Sequence, residues 1–260
     1  MGLTALDELL WLGTALASAT LVARLLCGRL VASPLTGLAV MLTAGLIRDF
    51  ILLLPPYASH LYAITWEATL IPMLAAQSWA AILVLRSIAA LYPKISSFAA
   101  RLFATFFGAT AVACCSGLYF ETRFLAGNEL LLRSCFLLDR WVHSLLAGTL
   151  ILTMLFFAYF PSPVRKRPRN LLGHTLLLTL YFSTYAIYFI AENLAPLGNM
   201  TALEHVKSAF VIALYVAWLC AISPAGKEVE PWPTVEPALI AALEQKNKNA
   251  LALLRYAAGR

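Results

Sequence analysis

Residues 35–54 read LTGLAVMLTAGLIRDFILLL, and charge interrupts this stretch only at Arg48 and Asp49. A helix of about 20 predominantly apolar residues crosses the hydrocarbon core of a bilayer. Pro55 and Pro56 follow directly, and proline ends a helix because it lacks a backbone N–H. The stretch therefore predicts a membrane-spanning helix that stops before the two prolines.

Six further stretches of similar apolar content are long enough to span a bilayer, at 6–26, 61–91, 98–119, 130–160, 171–192 and 202–222. Across the chain 61% of the residues are hydrophobic and 12% are charged, which is too apolar for a soluble domain of 260 residues. We predict an all-α, polytopic membrane protein with a bundle of seven transmembrane helices. Its two parts are the bundle at 1–224 and a tail at 225–260.

The charges divide between the two sides of this predicted bundle. One side carries bases alone, namely Arg24, Arg29, Arg86, Lys94, Arg101, Arg165, Lys166, Arg167 and Arg169. The other side carries every acidic residue outside the tail, namely Asp7, Glu8, Asp49, Glu67, Glu121, Glu129, Asp139, Glu192 and Glu204. Excess Lys and Arg in short loops marks the cytoplasmic side. We therefore predict an external N-terminus, a cytoplasmic C-terminus and a multi-pass location in the plasma membrane.

The two ends of the chain add further expectations. Asp7 and Glu8 stand where a cleavable signal would carry bases, so we expect the first helix to be retained. The tail predicts an amphipathic cytoplasmic helix that rests on lipid headgroups or a partner, with one apolar side formed by Leu239, Leu243, Leu251 and Leu254. The net charge of +6 lies mostly in loops that the insertion rule already explains, so we expect no nucleic-acid partner.

Two short motifs resemble a known group of proteins. The run Tyr62-Ala-Ile-Thr-Trp66-Glu67 and the end of the same span at Leu91-Tyr92-Pro93 are similar to the third helix of a group of uncharacterised seven-helix bacterial membrane proteins. The number of spans and the arginine-rich fifth connection agree. The resemblance extends over residues 1–222 and implies a bacterial inner-membrane location, without implying an activity.

Ionisable side chains within a span are costly and usually face the bundle interior or a wet cavity. Here they gather near the acidic side. In the sixth span, steps of three and four residues place one polar stripe along the helix, formed by Tyr181, Thr184, Tyr185, Tyr188 and Glu192. We predict an outward-facing polar pocket that binds a ligand through Arg48, Asp49, Glu67, Asp139, Arg140, His143, Tyr185, Tyr188, Glu192, His205 and Lys207. The alternative is a set of structural ion pairs near the interface.

The half of the bundle near the basic side is poorer in polar groups. Gln77 and Ser78 lie near the middle, His174 lies at the cytoplasmic end, and the rest are hydroxyls such as Ser18, Thr43, Thr105, Thr153 and Thr179. A path for ions or charged solutes needs polar groups through its length. We therefore expect binding from outside rather than passage across the membrane.

Three classes of function stay open at this point. We favour a non-enzymatic sensor or assembly component that binds a small molecule or partner, with a protein partner at the basic loops or the tail. A small-solute transporter or channel is the first alternative. The second is a metal- or haem-dependent membrane enzyme, because His143, His205 and carboxylates such as Asp49 or Glu67 could bind Zn²⁺ or Fe²⁺, or the two histidines haem. The cofactor, if any, is unknown.

The five cysteines have neither an even count nor the spacing of metal ligands, and we interpret them as packing residues. One disulfide stays open. Cys114 or Cys115, near the outer end of the fourth span, could reach Cys135 in an oxidising exterior.

Overall fold

The computed structural model describes residues 4–31, 34–56, 59–92, 96–122, 128–159, 168–194, 200–224 and 245. Helix makes up 92% of these residues and no strand occurs among them, which confirms the all-α class. The helices are α1 (Ala5–Cys27), α2 (Leu35–Leu52), α3 (His60–Leu91), α4 (Ser96–Thr122), α5 (Asn128–Tyr159), α6 (Arg169–Leu194) and α7 (Met200–Ala221).

Within the described residues, six helices are long and apolar enough to cross a membrane, namely α1, α2, α3, α5, α6 and α7. The qualifying part of α5 is Arg133–Phe156. The chain therefore has the make-up of a multi-pass membrane protein. Apart from Gln245, which is helical, the predicted tail lies outside the described residues.

The six candidate spans pack as a closed ring. Each consecutive pair around the ring is in contact, in the order α1, α2, α3, α5, α6, α7 and back to α1, and α3 also reaches α6 across the interior. Helix α4 packs against α5 and α3 from outside this ring. Neighbours in sequence run antiparallel because their connections are short.

The ring therefore has two ends, which we name by the charges of the sequence. The acidic end holds the starts of α1, α3, α5 and α7, and the basic end holds their C-terminal ends. Hydrogen bonds tie α1 to α7 at both ends. His205 Nε2 and Asp7 Oδ1 are 2.7 Å apart at the acidic end, and Arg24 donates to the carbonyl of Ile222 at 2.9 Å at the basic end.

Local sequence explains where several helices begin and end. The Thr4 side chain accepts the N–H of Asp7, whose carboxylate accepts the Thr4 N–H in return, and this reciprocal capping starts α1. Arg29 follows α1 with a φ of 48°, which lets the chain turn and bond Leu30 back to a helix carbonyl. Pro72 lies inside α3, where one backbone hydrogen bond is lost.

Glycine permits a close approach between two helices of the ring. A Cβ on Gly37 of α2 would lie 2.6 Å from the Cα of Ala80 in α3, a distance that real Cβ atoms do not reach. Helices in lipid associate through van der Waals packing of this kind, since lipid tails are as apolar as leucine. The α2–α3 contact therefore depends on a missing side chain at position 37.

We expect Gly37→Ala to destabilise the bundle by about 1–3 kcal/mol, because the added methyl group must push two backbones apart. Thermal unfolding in detergent, followed by circular dichroism, measures the effect. Gly148→Ala is the matched control, since a Cβ there meets nothing within 4 Å. The control should be as stable as the wild type or more stable by up to about 1 kcal/mol from helix propensity. Equal unfolding temperatures for the two variants would refute the close-packing argument.

Candidate functional site

His143 of α5 is held rigidly inside the ring near the acidic end. Its Nδ1 lies 2.9 Å from the backbone oxygen of Asp139 and 3.0 Å from Oδ1 of the same residue, one helical turn earlier. Two acceptors at Nδ1 require that this nitrogen carries the proton. In the neutral imidazole Nε2 is then an acceptor, and it has no hydrogen-bond partner although the side chain is only 2% exposed.

Aromatic rings of α6 surround this histidine. The Tyr185 ring stacks on the imidazole with centroids 4.5 Å apart and planes 24° apart. Phe182 and Phe189 approach its edges at 5.7 and 6.0 Å. The imidazole therefore has a fixed position, because three aromatic rings pack against it and one nitrogen is bonded.

Lys207 of α7 closes the acidic side of this cluster. Its Nζ lies 4.2 Å from the ring centroid of Tyr188 and 5.7 Å from that of Tyr185, and it donates to Glu204 at 3.2 Å. An ammonium over an aromatic face is attracted by the ring quadrupole. Glu192 also lies near enough to Tyr188 to act on it electrostatically. Helices α5, α6 and α7 thus meet in one cluster of charged and aromatic groups.

The polar contacts continue from this cluster toward the basic end. Tyr181 lies next to Tyr185, with ring centroids 5.0 Å apart, and its hydroxyl accepts from Gln77 Nε2 of α3 at 3.5 Å. The Tyr181 hydroxyl also interacts with the hydroxyls of Tyr185 and of Tyr215 in α7. Three helices therefore direct hydroxyl and amide groups into the middle of the ring.

A second buried histidine follows. Trp218 of α7 donates its indole N–H to Nδ1 of His174 at 3.2 Å, and neither side chain is exposed to solvent. Because Nδ1 accepts, the proton of this imidazole is on Nε2, which has no partner. One turn before it, Asn170 bonds the backbone of Ser223 twice, donating at 2.7 Å and accepting at 3.1 Å. The start of α6 is thereby fastened to the end of α7.

The structure brings together only part of the predicted pocket. Asp139, His143, Tyr185, Tyr188 and Lys207 form the cluster, and Glu192 borders it. The other predicted residues have partners elsewhere in the bundle or lie at its border.

Arg48 of α2 belongs to the α2–α3 seam. Its Nε donates to Thr69 at 3.3 Å, and its guanidinium lies 5.3 Å from the Trp66 ring centroid. Asp49 is partly buried and acts electrostatically on Arg48 and on Tyr215. Asp49 thus borders the tyrosines in the ring interior, and Arg48 does not.

Glu67, Arg140 and His205 also lie apart from the cluster. Glu67 acts electrostatically on Cys135, and the backbone carbonyl of Arg140 accepts a hydrogen bond from Ser144. His205 pairs with Asp7 of α1 rather than with His143. Among the described residues, no group of three or more His, Cys, Asp or Glu side chains is placed to hold a metal ion. Cys135 is a free thiol, so it forms no disulfide in this structure.

The prediction underestimated the half of the ring near the basic end. His174, assigned there to the end of a helix, is fully buried, and Asn170 and Thr175 are buried beside it. The signal was present in α6, because the stripe of Tyr181 and Tyr185 continues backward by seven residues to His174 and by four more to Asn170. The partner on α7 carries no such signal, since an isolated tryptophan in an apolar span predicts only packing or an interface.

A groove of about 240 Å³ runs between α6 and α7 on the outer surface of the ring. Its walls are almost entirely apolar, and Lys207 with Tyr188 lies midway along it. Ile187 and Val206 in its walls are among the exposed apolar side chains of the bundle. This surface is the kind that faces lipid tails in a membrane protein.

No family model matches the chain, and no curated protein or solved structure matches it either. The likeness to seven-helix bacterial membrane proteins therefore rests on features of the sequence alone.

We expect Trp218→Phe to lower the stability of the bundle by about 1–3 kcal/mol, because it leaves Nδ1 of His174 buried without its donor. Trp79→Phe is the matched control, since Trp79 is 49% exposed and should tolerate the change. The measurement is the midpoint of thermal unfolding in lipid nanodiscs. A double variant with His174→Leu should cost less than the two single changes added together. Strict additivity would show that the two side chains do not interact.

Proposed function

We propose that this chain is a non-enzymatic sensor or assembly component of a membrane, and that the cluster at the acidic end binds a small molecule. One observation carries the proposal. His143 Nε2 is a buried acceptor on a ring held in place by the bonded Nδ1 and by three aromatic rings of α6. A buried polar atom without a hydrogen bond costs about 1–3 kcal/mol, which a ligand with a hydrogen-bond donor would recover.

The surroundings indicate the chemistry of that molecule. Phe182, Tyr185 and Phe189 offer apolar ring surfaces around the imidazole, and Lys207 offers a positive charge already balanced by Glu204. Binding pockets are mostly apolar with a few polar groups that fix orientation. The ligand class that fits is a small, uncharged or weakly acidic molecule with one donor group and an apolar body.

The cluster can transmit binding because three helices contribute to it. A ligand shifts a conformational equilibrium only as far as its affinities for the two states differ. A molecule bonded to His143 on α5 and packed against Lys207 on α7 would favour one spacing of these helices over another. The signal would leave through a protein partner at the basic loops or the tail.

The same proposal includes the arrangement in the membrane. We place the acidic end outside and the basic end in the cytoplasm, since bases alone lie near the basic end. We count α4 as the seventh span, because residues 98–119 form an apolar stretch of sufficient length within it. The motifs of α3 support a location in the bacterial inner membrane.

Transport of a small solute is the second candidate. What supports it is the series of buried polar groups from His143 through Gln77 to His174, which reaches into the half near the basic end. A metal- or haem-dependent enzyme has no comparable support among the described side chains, because His143 and His205 have separate partners.

Native mass spectrometry of protein purified mildly into nanodiscs tests the ligand site. We expect a specific small molecule on the wild type and a loss of at least about tenfold in occupancy for His143→Leu, since the buried acceptor is removed. His205→Leu is the matched control and should retain the molecule, because His205 faces Asp7. An empty wild-type protein, or equal occupancy in both variants, would contradict the proposal. Thermal unfolding of each variant shows whether it is folded.

A further inference from the structure

A continuous series of buried side chains, with one half-buried member at Tyr185, links the cluster at the acidic end to the basic end. We call it the buried column and define it as His143 of α5, Tyr185, Tyr181 and His174 of α6, Gln77 of α3, and Tyr215 and Trp218 of α7. Each member is in contact with the next. His143 stacks on Tyr185, Tyr185 touches Tyr181, and Tyr181 reaches both Gln77 and Tyr215.

The lower part of the buried column is equally continuous. Ring centroids of Tyr215 and Trp218 are 6.1 Å apart, and those of Tyr181 and Trp218 are 6.4 Å apart. The indole N–H of Trp218 then bonds His174. No gap wider than a side-chain contact separates Asp139 at the top from His174 at the bottom.

Three atoms of the buried column have no hydrogen-bond partner, at three different depths. They are Nε2 of His143, Oε1 of Gln77 and Nε2 of His174, on side chains that are 2%, 3% and 0% exposed. The second polar atom of each side chain is hydrogen-bonded, and that bond fixes the role of the first atom. Nε2 of His143 and Oε1 of Gln77 are therefore acceptors, and Nε2 of His174 is a donor. Polar atoms at such depth are satisfied by water when they are not satisfied by protein.

The length of the buried column can be measured along α6. Tyr185 and His174 are separated by eleven residues of α6, which is about 16 Å at the rise of an α-helix. From His174 to the start of α6 at Arg169 is a further five residues, or about 7 Å. On the other side, Asp139 is partly exposed at 16% and lies one turn above His143. The buried column thus covers roughly half of a hydrocarbon core of about 30 Å, and Asp139 and Asn170 lie one turn beyond its two ends.

We propose that the buried column conducts protons between the acidic and the basic end of the bundle. Its groups are of the right chemical kind, because an imidazole and a phenol each accept a proton at one moment and release one at the next. Larger solutes do not fit, since Trp218, Tyr181 and Phe182 fill the interior. Metal cations are unsuited as well, because the part from Tyr185 to His174 contributes no carboxylate of its own.

The steps balance without any redox partner. A proton from the acidic side binds Nε2 of His143, and the imidazolium keeps its Nδ1–H bond to Asp139. It leaves from Nε2 to water beside the hydroxyls of Tyr185 and Tyr181. Each hydroxyl gains one proton from the side facing His143 and gives one to the other side, so no charge stays on it.

The last step involves His174, whose Nε2 carries a proton and whose Nδ1 accepts the indole N–H of Trp218. For the transfer the indole N–H turns away, Nδ1 takes up the arriving proton, and Nε2 releases its own proton toward the basic end. Water then passes the proton from Nδ1 to Nε2, which restores the starting tautomer and the bond from Trp218. One proton has then moved along the bundle, and every side chain has its starting protonation.

Charged groups of neighbouring helices set the field along this path. Asp139 of α5 and Lys207 of α7 act on Tyr185, and Asp49 of α2 acts on Tyr215. The two carboxylates favour a passing positive charge, and the ammonium is paired with Glu204. Asn170 and Ser223, one turn below His174, hold α6 and α7 together at the exit. Proton movement goes beyond ligand binding and does not require it, since Gln77 and His174 lie away from the cluster.

Proteoliposomes with an entrapped pH-sensitive dye test the proposal. A potassium gradient with valinomycin supplies the driving voltage, and the initial rate of internal pH change is measured. We expect wild-type vesicles to acidify faster than protein-free vesicles. His174→Gln and Tyr181→Phe keep most of the packing but remove a proton-exchanging group, so each should slow the rate by roughly tenfold or more. His205→Gln, which lies outside the buried column, should leave the rate unchanged.

Two results would overturn the proposal. One is a wild-type rate no faster than that of protein-free vesicles. The other is a rate unchanged by both Tyr181→Phe and His174→Gln in vesicles whose protein is shown by circular dichroism to be folded. A failure of the ligand site is recognised separately, because these two variants are expected to retain any small molecule that the wild type carries.

Discussion

Every polar group in the interior of this bundle must find its partner within the protein, because the hydrocarbon around it offers none. The backbone meets this requirement by being helical. Buried hydroxyls meet it locally, since each donates to a carbonyl one turn earlier in its own helix, as in Thr149, Thr153, Thr175 and Thr179. These threonines are therefore satisfied and carry no functional signal. A few side chains meet the requirement only in part, because one of their polar atoms is hydrogen-bonded and the other has no partner. These side chains define the site.

The sequence predicted the helices well for the same physical reason. Spanning a bilayer needs a run of fixed length, so the stretch 61–91 anticipates α3 at His60–Leu91 to within one residue, and 171–192 anticipates most of α6. The ring was not predictable in this way. Lipid-facing and buried surfaces are both apolar, so the pattern of a span does not reveal its rotation or its neighbours. Which helices are neighbours is visible only in the structure, for example in the backbone approach at Gly37 and in the position of α4 outside the ring.

Contacts within one helix were predictable, and contacts between helices were not. The spacing of four residues joined Asp139 to His143, and steps of three and four gave the stripe of α6. The partner of His205 could not be inferred, because Asp7 lies 198 residues away on α1. The prediction grouped the ionisable residues near the acidic end into a single pocket. In the structure Arg48 faces the contact between α2 and α3, and His205 faces the contact between α1 and α7. Charge locates the end of the bundle at which a residue lies, but helix rotation decides what it touches.

The interior is filled with rings, so either ligand entry or proton movement requires some rearrangement of α6 against α7. Several contacts, including the hydrogen bond from Trp218 to His174, hold these helices together, and two of them lie toward opposite ends of the pair. At the basic end Asn170 makes two hydrogen bonds to the backbone at Ser223, at 2.7 and 3.1 Å. Toward the acidic end the contact is between the ammonium of Lys207 and the ring face of Tyr188. This contact does not fix a single geometry, and the same ammonium also pairs with Glu204. The contact toward the acidic end is the weaker of the two. A separation of α6 and α7 would therefore begin beside His143, and the pair at Asn170 would act as the hinge about which it opens.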